Sequence, residues 1–286
     1  MRKALTAFFL AAAIVPALAA QTGPAAGVGT EGSTGSATQL VATGSKLDAF
    51  APSTGLIYHN GPVLLTARAV FIFWGPTFAN PASPDYAYAQ ALIAFRNQLG
   101  TSHPYDIITQ YYQIVGGVKQ YIELTNLGGG TPDWFDASTP PTDVTDAKVQ
   151  GEVSKYLASH AFDVDSIYQV FIPSTSYSSD GGITSCGGPD VGYCSYHSYF
   201  TSGTDNVVYS IQPYPSCSAC QVAGMTTTQI QERFMCGETR ESVTDPLTTG
   251  WWSAAGGECD ALCGWQFTTS TPCGKTWSNA AGKCVS

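Results

Sequence analysis

All nine cysteines of this chain lie after residue 185, from Cys186 to Cys284. Disulfides persist in oxidising compartments, so the pattern implies an exported chain whose C-terminal part is disulfide-rich. Nine is odd, so at least one thiol is spare or pairs between chains. Cys236 is the candidate spare, because it falls on a predicted helix. Cys194 is expected to pair with Cys186. Cys217-Ser218-Ala219-Cys220, in a Pro/Ser loop, reads as a small structural clip. Its C-x-x-C spacing also suits redox or zinc use, but no second such pair accompanies it.

The start of the chain agrees with export. Arg2-Lys3, an apolar run over 4–17 and Ala17-Leu18-Ala19 form a secretory signal peptide with a cleavage site after Ala19. The run is short for a membrane span, and no other segment approaches ~20 consecutive apolar residues. Residues 20–55 are rich in Gly, Ser, Thr and Ala and are expected to be a flexible leader. A formal net charge of -9 argues against a nucleic-acid partner, which needs a basic footprint.

Residues 56–286 read as a single domain without internal repeats. Tyr58-His59-Asn60-Gly61-Pro62 is a turn, and the run over 63–74 ending AVFIFW is a buried strand. Tyr88, Leu92, Phe95 and Leu99 recur at helical spacing. Short elements are expected over 107–112 (helix) and 120–124 (strand), with a loop over 128–141. Val149, Val153, Tyr156, Leu157 and His160 mark another helix, followed by strands over 166–172 and 207–211. This order predicts an α/β (α+β) domain with a mixed sheet covered by helices.

The most informative stretch is 225–246, MTTTQIQERFMCGETRESVTDP. Thr228 with Gln231 predicts a capping-box start, and Asp245-Pro246 a stop. Between them, Gly237-Glu238-x-x-Glu241 is the metallopeptidase pattern H-E-x-x-H with both end positions changed. At ~100° per residue, Glu241 falls within about 20° of Ile230 and of Phe234. Glu232, Arg233, Thr239 and Arg240 point the other way. Glu241 therefore continues the apolar face, and a buried carboxylate needs a metal, a base or a hydrogen-bonding cage. A frayed helix end with both glutamates in water is the plainer alternative.

Several motifs together resemble the EXORDIUM, or phosphate-induced protein, family. They are Tyr58-His59-Asn60-Gly61-Pro62-Val63, Tyr193-Cys194-x-Tyr196-His197, the Cys217/Cys220 pair and Glu238-x-x-Glu241-x-Val243-Thr244-Asp245-Pro246. Trp251-Trp252, Gly257-Glu258 and Trp277-Ser278-Asn279-Ala280 follow in the same order. The resemblance implies a secreted protein, linked to growth in plants, and supplies no settled biochemical activity. The family's helix motif resembles H-E-L-x-E-A-x-T-D/N-P, so its first histidine aligns with Gly237. A zincin-like layout would use Glu238 as the general base on a metal-bound water, but glycine offers no ligand at the first position.

The remaining candidate metal ligands are Glu241, Glu258, His197 and Asp245, with Asp260 as a further oxygen donor. This oxygen-rich set leans away from zinc toward calcium, or toward no metal at all. Each residue also has a plain reading. His197 can be a satisfied strand residue, Glu258 can cap a turn, and Asp245 can close the helix end. His59 and Trp74 read as structural.

The expectation is an extracellular, wall-associated or periplasmic EXORDIUM-like protein with a decayed metallopeptidase-like site. It would bind an extracellular protein, peptide or polysaccharide. The alternatives are an active extracellular zinc metallopeptidase and a disulfide-stabilised carbohydrate- or wall-binding module. The sequence has no G-x-S-x-G elbow, Gly-rich phosphate loop or G-x-G-x-x-G fingerprint.

Overall fold

The computed structural model describes residues 55–130, 132–264, 266 and 273–286. The expected signal peptide and nearly all of the leader lie outside them. A five-stranded mixed sheet forms the centre. Strand β1 (Leu56–Tyr58) lies outside this sheet, whose first strand in chain order is β2 (Arg68–Trp74). Its other strands are β3 (Trp134–Asp136), β4 (Ser166–Ile172), β5 (Tyr196–Ser202) and β6 (Asp205–Pro213). The order across the sheet is β5-β6-β4-β2-β3, parallel except for the antiparallel edge strand β5.

Parallel strands covered on both faces read as continuous apolar runs, as AVFIFW and SIYQVFI do. Alternation then divides their side chains. Ala69, Phe71 and Phe73 of β2 pack with α1 (Pro84–Leu99) on one face. Val70, Ile72 and Trp74 pack with α2 (Asp146–Leu157) on the other. Helix α3 (Thr227–Thr244) joins α1 on the first face and lies against β5 and β6. The result is a three-layer arrangement, the mixed sheet covered by helices that the element order predicts.

Several boundaries differ from the sequence reading. Within 128–141, expected to be loop, Trp134–Asp136 pairs with Ile72–Trp74 and closes one edge of the sheet. The strand over 63–74 begins only at Arg68, and His160 lies beyond the end of α2. Residues 107–110 form a 3-10 turn, and Tyr112 already belongs to a hairpin of Tyr112–Val115 with Val118–Tyr121. These short pieces carry too few residues for periodicity to register.

The C-terminal part wraps back over α3. Strand β7 (Trp251–Ser253) pairs with β1, and Gly61 N–H donates to Thr249 carbonyl oxygen. Disulfides join Cys186–Cys217, Cys194–Cys220, Cys236–Cys273 and Cys263–Cys284, and Cys259 is the buried free thiol. Two cysteine expectations are therefore corrected. Cys236 is bridged although it sits on a helix, because its side chain points at the returning segment around Cys273. Cys194 pairs with Cys220, not with Cys186. Cys217 and Cys220 are both structural, as expected of a clip, and staple the loop to two different points. Among the described residues, no helix is long and apolar enough to cross a membrane.

Candidate functional site

Helix α3 begins at a capping box made by Thr226 and Gln229, two residues earlier than the sequence suggests. It ends at Asp245, ahead of Pro246. The expectation of a wet face is overturned: Arg233, Thr239 and Arg240 are as buried as Glu241. The second half of the helix is enclosed on all sides, by the sheet and by the returning C-terminal segment. Arg240 is tolerated there because it pairs with Asp260 and donates to the carbonyls of Gly274 and Pro104.

The interface between α3 and the sheet is a polar seam. Gln169 donates to Thr239 at 2.8 Å, and Gln231 donates to Gln212 at 2.6 Å. Tyr88 donates to Gln231 at 2.9 Å. Polar side chains inside apolar strands are costly to bury, so the specific bonds they make here pin the rotation of α3 against the sheet. Gln169 was the visible signal in the sequence, a lone amide within SIYQVFI, and sequence reasoning passed over it.

At the edge of this seam, four predicted residues come together. Alternation on β5 sends Tyr196 toward α2, where it donates to Asp146, and His197 toward α3. His197 Nδ1 lies 3.1 Å from Glu238 Oε2, and Nε2 lies 3.4 Å from Glu258 Oε1. Ser195 Oγ donates to Glu238 Oε1 at 2.6 Å. Glu241 Oε1 accepts the backbone N–H groups of Asp260 at 3.2 Å and Ala261 at 2.8 Å. His197, Glu241 and Glu258 each offer one donor atom, and these atoms lie within 4.8 Å of one another. His197, Glu238, Glu241 and Glu258 are 4%, 3%, 2% and 4% exposed.

The loop carrying Glu258 is placed by long-range contacts. β7 is held by β1, Ser253 N–H donates to the Gly257 carbonyl, and Trp277 N–H donates to the Cys259 carbonyl. Asp245 stands apart in role. Its Oδ1 accepts from Gly250 N–H at 2.6 Å, closing the turn between α3 and β7. His59 stacks on Trp252 with centroids 3.5 Å apart, and Trp74 donates to Ser138.

The electrostatics reflect carboxylates crowded away from water. Burial pushes Glu241 well above the usual carboxylate range, and the Glu258 and Glu238 carboxylates push it the same way. Burial alone would lower the His197 pKa, but Glu258 and Glu238 outweigh it and hold the imidazole pKa well above its ordinary value. Burial, then Glu258, raises Asp245 to about 7. Burial also pushes the Cys259 thiol up, so it is no thiolate nucleophile.

Position 237, where the resembling motif has histidine, faces Asp260: a Cβ there would lie 3.4 Å from Asp260 Oδ2, an ordinary contact. Comparison of the chain with models of known families, with curated proteins and with solved structures finds no match.

Proposed function

We propose that this chain is a secreted, EXORDIUM-like extracellular protein that acts by binding rather than by catalysis, with a metallopeptidase-like centre retained in the interior. The observation that carries this reading is the enclosure of His197, Glu238, Glu241 and Glu258. A general base must come within hydrogen-bond reach of the water or substrate it serves. Glu238 instead spends both oxygens on Ser195 and His197 beneath the covering C-terminal segment. A cleft lined by Pro62, Leu64, Phe162, Asp205, Val208 and Leu247 has none of the four in its wall. Four disulfides suit a compartment outside the cytosol.

The test is digestion of casein by the purified exported protein, with and without chelator, beside Glu238→Gln. The expected result is no hydrolysis in any sample. Chelator-sensitive hydrolysis that Glu238→Gln abolishes would replace this reading with an extracellular metallopeptidase, which the convergence of His197, Glu241 and Glu258 favours as the second reading. Binding is then sought by pull-down on insoluble polysaccharides and on extracellular proteins.

A further inference from the structure

From the geometry around His197 we infer a closed binding site for one divalent transition ion of the zinc class. Its ligands are His197 Nε2 and one carboxylate oxygen each from Glu241 and Glu258, and Glu238 is the positioning residue behind the imidazole. This rests on the reading of the centre as non-catalytic. Three observations carry it.

The first is spacing. Two donors each about 2.0–2.1 Å from a tetrahedral zinc lie roughly 3.3–3.4 Å apart. His197 Nε2 and Glu258 Oε1 are 3.4 Å apart, and the Glu241 donor completes a triangle with no side above 4.8 Å. The second is an orphaned group. Glu258 is almost fully buried, and apart from the His197 Nε2 contact at 3.4 Å neither of its oxygens has a hydrogen-bond partner among the described residues. A buried carboxylate in that state needs a cation.

The third is orientation. Ligating histidines characteristically give their other ring N–H to a carboxylate, which fixes the tautomer and raises ligand basicity. Glu238 Oε2 occupies that place at 3.1 Å from Nδ1, and Ser195 anchors its second oxygen. With Nδ1–H given to Glu238, Nε2 is the nitrogen that faces the triangle, and an incoming ion would take the place of its proton. The imidazole also selects the ion. Calcium and magnesium take oxygen donors, six to eight of them for calcium, whereas one imidazole with two carboxylates suits zinc or a neighbouring transition ion. Asp245 is left out, because its Oδ1 holds Gly250 N–H.

Such an ion would clamp three chain segments that are remote in sequence: edge strand β5, helix α3 and the loop after β7. Its role would be to hold the C-terminal cover on the domain.

The experiment uses the full exported chain, stripped by chelator and titrated with Zn²⁺ against a chromophoric competitor, with thermal unfolding followed in parallel. Expected are one zinc per chain and a rise in Tm that calcium at equal concentration does not produce. Co²⁺ in the unmutated protein should give visible bands of a low-coordinate nitrogen–oxygen site. Glu258→Gln should abolish the bound zinc. Glu238→Gln should keep the stoichiometry, weaken affinity by about 10–100-fold and shift the Co²⁺ spectrum, which a merely structural glutamate would not do. Absence of zinc binding by the unmutated chain would overturn the inference. So would unchanged affinity in Glu258→Gln, or calcium binding of equal strength. Caseinolysis by a zinc-loaded chain would sink the non-catalytic reading and leave the ligand assignment standing.

Discussion

At Gly61 the chain passes so close to the turn after α3 that a side chain would overlap Thr249, both its hydroxyl and its backbone carbonyl. The glycine of the His59-Asn60-Gly61-Pro62 turn is thus required by close approach to a segment almost two hundred residues away. Gly61→Ala is expected to lower stability by roughly 1–3 kcal/mol, because backbone and not a flexible side-chain tip must give way. Equilibrium urea unfolding reads this as a lower midpoint; an unchanged midpoint would mean that the turn moves freely.

Glu152 is a second residue whose behaviour depends on its neighbours. It is buried on α2 beside Asp136, and Lys155 lies 2.5 Å from Asp136 and 3.7 Å from Glu152. Burial, then the adjacent Asp136 carboxylate, pushes Glu152 up to about 8. Asp136, despite its own burial, is held well below the usual range by Lys155 and Ser138. Between the ordinary glutamate value of 4.5 and about 8, the folded chain keeps a proton that the unfolded chain releases. Folding stability supplied by this group therefore falls as pH rises through that window. Glu152→Gln keeps the neutral form, so its stability relative to the unmutated chain should improve from about pH 5 to about pH 8. Parallel stability curves for the two proteins would refute the assignment.

Among the elements, α3 is the one whose proline stop and one face were legible, while its capping box is Thr226 with Gln229 and not the expected Thr228 with Gln231. Both signals are local chemistry, but the run Thr226-Thr227-Thr228 offers more than one place for a cap, whereas the proline allows a single stop. Glu241 was assigned inward because helical spacing puts it in line with Ile230 and Phe234, and it is buried with them. The error was to give the opposite face to water. Amphipathic reasoning assumes that one side of a helix meets solvent, and here Arg240 and Thr239 meet the covering segment and the sheet. Gly237 lies on the same helix next to Asp260, with room for a Cβ. Gly237→His is expected to raise zinc affinity by adding an imidazole at the position where the resembling motif carries one. A titration showing no gain would mean that this position addresses only the Arg240–Asp260 pair.

For the molecule as a whole, the cross-links decide how the C-terminal part closes. Two bridges staple the segment before α3, one ties α3 to the tail and one closes the tail on itself, while Cys259 is a buried free thiol. Alkylation should therefore find no reactive thiol in the native protein. In denaturant without reductant, a single alkyl group should appear, mapped by mass spectrometry to the peptide containing Cys259. Labelling at Cys236 would contradict the observed pairing.

What the chain determined by itself was local: the two long buried strands, the three helices, the proline-terminated end of α3, and the inward-facing Glu241. Each follows from side-chain periodicity or turn chemistry within a short window. The motif order also singled out His197, Glu238, Glu241 and Glu258 as candidates, although nothing in one dimension states their distances. Only the tertiary structure decided that these four meet, which nitrogen of His197 faces Glu238, and that Cys259 and not Cys236 is the spare thiol. It also made the short strand Trp134–Asp136 an edge of the main sheet. Those outcomes depend on pairings between segments distant along the chain, above all β7 on β1 and the tail on α3. The free energy of such pairings comes from surfaces that exist only once the domain has closed.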